Sequence, residues 1–462
     1  MTFHGAAREV TGSCHVIRVL HRTILLDAGL FQGRRAEVRA RNTELPVPTS
    51  EIGAIILSHA HIDHAGRLPY LVRCGYRGPI HATGATNDLC RVMLADSAHI
   101  QEKDAEFLAK RKHTYEAPLY TSGDVRTTLQ AMRGVDYGAW FDVVPGVRAQ
   151  LIEAGHILGS ASVVLEWNED GERRRLCFSG DIGRTGLSII RNPEPPTDVD
   201  CVIMESTYGN REHQDVSGTR DRFAAIIRDT AARGGKVLIP AFAVGRTQEL
   251  IYVTHELVRA GQIPRIPVII DSPLATEATQ VFARHADLFD PGEEFVRQFR
   301  ENPAATLGNS LIEYTETPQA SKEAMQRRGP MVIIAASGMA ESGRILHHLL
   351  HGASDTRNTV LIVGFQAEHT LGRRIVERRP TIKVFGEEVP LQARVEVLNG
   401  YSAHADRHEL TAWAEAVRRT SPRLQHIWLV HGEPDAQDAL ASELNRREMR
   451  VSCPARGTRV KC

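Results

Sequence analysis

Residues 54–66 read Ala54-Ile-Ile-Leu-Ser-His-Ala-His-Ile-Asp-His-Ala-Gly66. The apolar run 54–57 has the length of a buried strand and stops at Ser58, and a helical pattern starts near Arg67. A short apolar run, a polar turn and a return to helical periodicity make a strand–loop–helix unit, the signature of an α/β fold. Between strand and helix, His59, His61, Asp63 and His64 fall within six positions. Imidazole nitrogen and carboxylate oxygen suit zinc at about 2.0–2.2 Å. Four such donors crowd one reactive tetrahedral ion, so the spacing points to two. A merely polar surface loop is the competing explanation, and this density of His argues against it.

Other strand ends repeat the pattern. The strand 23–27 ends on Asp27, a costly place for a carboxylate unless it is paired or exposed. Asp27 reads equally as a group orienting a ligand imidazole, as metal-bound His requires, and as a turn cap. His156 stands in a glycine-flanked loop between two strands, in Glu153-Ala-Gly-His-Ile-Leu-Gly-Ser-Ala-Ser162. Asp181 follows a strand in Leu176-Cys-Phe-Ser-Gly-Asp-Ile-Gly183, where it is either turn chemistry or a carboxylate bridging two ions. The apolar run 198–204 ends in Glu205-Ser-Thr-Tyr-Gly209. Further on, His404 lies in Gly400-Tyr-Ser-Ala-His-Ala-Asp406, and His431 follows the strand 425–430. Acids and imidazoles at successive strand ends imply one shared rim. His99, His113, His408 and His426 read as surface or packing residues.

The 462 residues exceed what one core ordinarily supports, so two domains are expected. Formal net charge is zero, so any polyanion-binding surface must be local. Seven scattered cysteines without a C-x-x-C pair imply buried or free thiols in a reducing compartment and no disulfide framework. No signal peptide opens the chain and no run nears ~20 apolar residues, which leads us to expect a cytoplasmic protein with no membrane association.

His-Ala-His-Ile-Asp-His at 59–64, His156, Asp181 and Glu205-Ser-Thr-Tyr-Gly resemble the metallo-β-lactamase fold. More narrowly they are similar to its β-CASP nucleases, the group of the mRNA cleavage-and-polyadenylation endonuclease and its bacterial and archaeal relatives. The narrower likeness rests on Pro240-Ala-Phe-Ala-Val-Gly-Arg-Thr-Gln-Glu249, Asp271-Ser-Pro-Leu274 and Ala336-Ser-Gly-Met339. It implies an αββα sandwich of 1–209 and 392–462, interrupted at 210–391 by an inserted α/β β-CASP domain. The βα succession there includes a helix 219–233 and strands 236–240, 267–270, 331–335 and 360–364. RNA-binding extensions like those of archaeal relatives are not expected.

The resemblance assigns His59, His61 and His156 to one zinc ion, Asp63, His64 and His431 to a second, and Asp181 to both. It implies phosphodiester hydrolysis of single-stranded RNA by internal cleavage, with additional 5′-to-3′ attack left open. His404 would be general acid, supported by Glu205. Ser337-Gly338-Met339 and Thr370-Leu371-Gly372-Arg373 would offer helix N-termini and an Arg fork to backbone phosphates. His369 stands where relatives usually carry Gly. Partner proteins are open, with a monomer or homodimer expected. A thioester or lactone hydrolase of the same fold, a DNA nuclease and a silent RNA-binding subunit are the alternatives. His431 argues against DNA, because the DNA-specific branch typically has Val there.

Overall fold

The computed structural model describes residues 1–33, 35–112, 116–213, 216–290, 297, 311–364, 366 and 369–462. His113 lies outside them. The first strands are β1 (Thr2–Gly5), β2 (Cys14–Val19), β3 (Arg22–Leu26), β4 (Ile52–Ile56), β5 (Ile80–Thr83) and β6 (Met132–Val135). They form one sheet in that order, antiparallel up to β3 and parallel beyond. Next come β7 (Trp140–Val144), β8 (Val147–Glu153), β9 (Ala161–Glu169), β10 (Glu172–Phe178) and β11 (Cys201–Glu205). After them lie β12 (Lys236–Pro240), β13 (Val268–Ile270), β14 (Ile312–Tyr314), β15 (Met331–Ala335) and β16 (Thr359–Ile362). The hairpin β17 (Thr381–Val384) and β18 (Glu387–Pro390) precedes β19 (Arg394–Val397), β20 (His426–Val430) and β21 (Val451–Ser452).

The chain divides into two compact units: residues 1–185, 192–212 and 404–462, and residues 186–191 and 213–403. In the first, a second sheet has the order β21-β20-β11-β10-β9-β8-β7. Alternating apolar residues of both sheets, among them Ile24, Leu26, Ile56, Leu151, Val163, Phe178 and Ile203, meet in one buried core. On the second sheet's outer side, Val202, Met204 and Leu429 bury the apolar stripes of the helices Arg407–Thr420 and Pro434–Arg446 through Leu410, Trp413, Ala414 and Leu440. The helix Gly84–Lys112 covers the other sheet. Helix, two sheets and helix give the expected αββα sandwich.

The second unit holds a six-stranded, wholly parallel sheet of order β14-β13-β15-β12-β16-β19. Its strands read Val-Ile-Ile and Met-Val-Ile-Ile-Ala, the continuous apolar runs of strands covered on both faces. Here the structure corrects one boundary. β19 belongs to this sheet, paired with β16 from Thr359↔Arg394 to Ile362↔Val397, so the chain returns to the first unit near residue 404 and not at 392. The cysteine expectation is corrected too: Cys201 and Cys462 form a disulfide with Cα atoms 6.0 Å apart. Among the described residues no helix is long and apolar enough to cross a membrane.

Candidate metal centre

Every donor of the rim lies in the first unit, on turns that leave the two facing sheets. Close backbone approaches fix those turns. A Cβ on Gly29 would fall 1.5 Å from the Asp63 carbonyl, and one on Gly183 would fall 1.6 Å from that of Gly155. Only glycine fits either place, and each draws one ligand loop against another.

The first group of donors is His59, His61, His156 and Asp181. His61 Nδ1 lies 3.1 Å from both His59 Nε2 and His156 Nε2, and Asp181 Oδ2 lies 3.5 Å from each of the latter two. A tetrahedral zinc with ligands at about 2.0–2.1 Å separates its donor atoms by about 3.3 Å. The second group is Asp63, His64 and His431. Its edges are 3.2 Å between the two Nε2 atoms and 3.6 Å from Asp63 Oδ2 to His431. Asp181 Oδ1 faces this group, 3.3 Å from His64 Nε2 and 3.4 Å from His431 Nδ1. That buried oxygen makes no hydrogen bond. A buried carboxylate oxygen among imidazole nitrogens is costly without a cation, so the donor set fits metal ions.

Electrostatics supports the same conclusion. Burial pushes His59 well below the ordinary imidazole range and His61 down to about 4, so both imidazoles are neutral at pH 7. His64 is also penalised by burial, yet the carboxylates of Asp181 and Asp27 raise it well above normal. The charges that would hold a proton on His64 would equally stabilise a cation at its Nε2. Asp27 fixes the tautomer, since its Oδ2 accepts from His64 Nδ1 at 2.6 Å. It also accepts from Ser58 N at 2.8 Å and from the hydroxyls of Ser58 and Ser13 at 3.0 Å. Thr207 Oγ1 performs a similar service 3.0 Å from His431 Nδ1. Ser13, Ser58 and Thr207 escape sequence reasoning because hydroxyls near turns are common. The one usable signal is their position beside rim motifs.

A third group joins Asp181, Glu205 and His404. Glu205, wholly buried at the end of β11, accepts from Ile182 N at 2.7 Å and Thr207 N at 3.0 Å. Its Oε1 lies 3.1 Å from His404 Nδ1. Burial works against charge on His404, but Glu205 and Asp181 outweigh it and raise the imidazole to about 9. His404 stands two residues ahead of Asp406, which caps the helix Arg407–Thr420 in a reciprocal box with Glu409. His99 and His408 are exposed and His426 packs on Trp428, as expected.

The other sequence candidates lie in the second unit, and there the structure corrects the expectation of free helix N-termini. Ser337, Gly338 and Met339 sit in the loop after β15, and the next helix, Ile345–Gly352, starts six residues later. Ser337 N donates to Ser342 O. The helix Leu371–Val376 is six residues long, and its first amides are already engaged. Leu371 N donates to Glu341, Gly372 N to Met339 O at 3.1 Å, and Arg373 N to Thr370 Oγ1 at 3.1 Å. The Arg373 side chain pairs with Glu377 at 3.0 Å. His369 is exposed and adopts φ +69°, which explains why glycine suits that position.

Family models match in three places: the Beta-Casp domain over residues 247–375, the Zn-dependent metallo-hydrolase RNA specificity domain over 388–454, and the metallo-beta-lactamase superfamily over 7–74. The chain is 40% identical to the protein named Ribonuclease TTHA0252 of Thermus thermophilus, over 97% of this chain and 96% of that one. It belongs to the Beta-Casp metallo-beta-lactamase family. The Transcription termination factor FttA of Methanosarcina mazei is 31% identical over 97% of this chain and 69% of its own length. A crystal structure of an Enterococcus faecalis protein of unknown function covers 99% of this chain and is 98% covered itself, with TM-score 0.55 and 11% identity, a likeness of fold alone. Metal-dependent hydrolysis is the chemistry of this Beta-Casp group.

Proposed function

We propose that this Beta-Casp protein is a ribonuclease that binds two zinc ions and hydrolyses phosphodiester bonds of single-stranded RNA. One observation carries the reading: two sets of donor atoms meet on opposite oxygens of Asp181, with the His404–Glu205 pair alongside. His59, His61 and His156 hold one ion, and Asp63, His64 and His431 the other. Zinc, when bound, polarises a phosphoryl oxygen and lowers the pKa of water. The chain supplies the rest. Asp27 keeps the His64 Nε2 lone pair directed at the ion. His404 stays protonated at neutral pH and gives its proton to the departing 3′ oxygen, and Glu205 holds that imidazole by Nδ1. The products are a 3′ hydroxyl and a 5′ phosphate. The relative named as a ribonuclease and the match to an RNA specificity domain favour RNA over DNA or a small thioester.

The test compares two internally labelled single strands of one sequence, RNA and DNA, with the zinc-loaded protein and Asp63→Ala. RNA alone should be cut, and only by wild type. Cutting of DNA at an equal rate, or of neither strand with two zinc ions bound, rejects the assignment.

A further inference from the structure

The parallel sheet of the second unit reverses its winding between two adjacent strands. From β12 the chain passes beyond β15 to β13, and from β15 it passes back beyond β12 to β16. In open α/β sheets, ligands bind outside the carboxyl ends of the strands at such a reversal. The side chain at that place is Phe242, two residues past β12, and it is 47% exposed. Among the described residues few large apolar side chains are this exposed.

The backbone that carries Phe242 is anchored. Its carbonyl accepts from Thr247 N at 3.3 Å and Thr247 Oγ1 at 2.8 Å, and Ala241 N ties the same turn to Ala335 O at 3.1 Å. Its ring lies against Gly338, in the loop after β15. A Cβ on Gly338 would fall 2.8, 2.9 and 3.0 Å from three consecutive ring atoms. Near-equal distances to neighbouring ring atoms mean that the glycine meets the ring's face; an approach in the ring plane would leave the flanking atoms much farther off. Gly338 is itself fixed, because its carbonyl accepts from the buried Gln366 amide at 3.0 Å. Turns after β12, β15 and β16 thus combine to seat one face of an aromatic ring on a glycine while nearly half of the residue stays accessible.

We propose that Phe242 is a stacking platform for one nucleobase of the RNA substrate. This rests on the ribonuclease reading above and adds a base subsite to it. A flat, apolar, preorganised face binds any base through its π surface and reads no hydrogen-bond pattern. The subsite therefore contributes affinity and register along the strand without sequence preference. Gly338 is required under the ring, since any side chain there displaces it.

The experiment walks a single 2-aminopurine along a short single-stranded RNA and mixes each strand with zinc-loaded, full-length protein under single-turnover conditions. At one position the fluorescence should fall on binding to wild type and to Phe242→Trp, but not to Phe242→Leu. KM of Phe242→Leu should rise roughly 5- to 150-fold, the range of one base–aromatic stack, with kcat changed less. An abasic site at that position should raise KM of wild type by a similar factor and add nothing in Phe242→Leu. Abasic and Leu effects that multiply, or a fluorescence change equal in wild type and Phe242→Leu, overturn the platform. The abasic arm on wild type does not depend on any variant folding. Wild type that cuts RNA but shows no abasic-sensitive position rejects the platform alone, whereas wild type that neither binds nor cuts RNA rejects the ribonuclease reading beneath it.

Discussion

The role proposed for His404 depends chiefly on Glu205, with Asp181 adding to the charge it faces. With Glu205 Oε1 at 3.1 Å from Nδ1, its imidazole is held charged and aimed by the same carboxylate. His404→Ala should therefore keep its zinc, measured by metal analysis, while kcat drops about 10²–10⁴-fold; unchanged turnover would remove it from the mechanism. The pH dependence has a definite sign. With its imidazole raised to about 9, the proposed acid stays protonated through neutrality, and activity should fall as pH climbs through that value. Glu205→Gln removes the raising charge, so the alkaline limb of the kcat profile should move to lower pH. A limb that stays in place would mean that Glu205 does not act on His404. The acids and imidazoles themselves were legible because they follow apolar runs or stand in turns beside strands. Ser13, Ser58 and Thr207 were not, because a hydroxyl becomes a partner only when a distant loop arrives beside it.

In the parallel sheet, Asp271 at the end of β13 is buried beneath a cage of donors. Arg344 Nη1 lies at 2.8 Å, His348 Nε2 and Ser321 Oγ at 2.6 Å, and Thr315 also donates. Burial opposes the charge of Asp271, but these hydrogen bonds prevail and hold its carboxyl well below the usual range. A folded pKa below the unfolded one stabilises above about pH 4 and stops doing so as pH falls towards the depressed value. Acid melts should show wild type losing stability below about pH 4. Asp271→Asn should melt earlier at neutral pH, by about 3–5 kcal/mol for a buried pair stripped of one partner, with much of that acid sensitivity gone; equal acid slopes would refute the role. Strand positions such as 236–240 and 331–335 followed directly from their apolar runs. The membership of β19 did not, since a strand's own sequence does not say which sheet's edge it joins. The Thr370–Arg373 turn misled for a related reason: Glu341 and Met339, some thirty residues away, take up its amides.

The whole chain carries no net charge, yet the rim gathers buried carboxylates, and one oxygen of Asp181 makes no hydrogen bond. An ion that binds only the folded state stabilises it, by about 2.7 kcal/mol at a hundredfold excess over Kd. Chelation should accordingly lower Tm and abolish cleavage, and zinc should restore both; a Tm indifferent to chelator would mean that the rim holds no structural charge deficit. RNA binding by a neutral molecule should also depend only moderately on salt. A slope in log K against log salt no steeper than about −3.5 corresponds to roughly five phosphates, and a much steeper one would reveal a longer basic track on the surface. The sequence by itself determined the layered α/β class and most donors of the rim, because strand ends and metal-ligand turns are local patterns. Only the tertiary structure brings donors from distant strand ends within reach of one another. His64 meets His431 across 367 residues, and His404 meets Glu205 across 199. Such partnerships depend on which strands lie side by side, and that order is set by burial of the whole core.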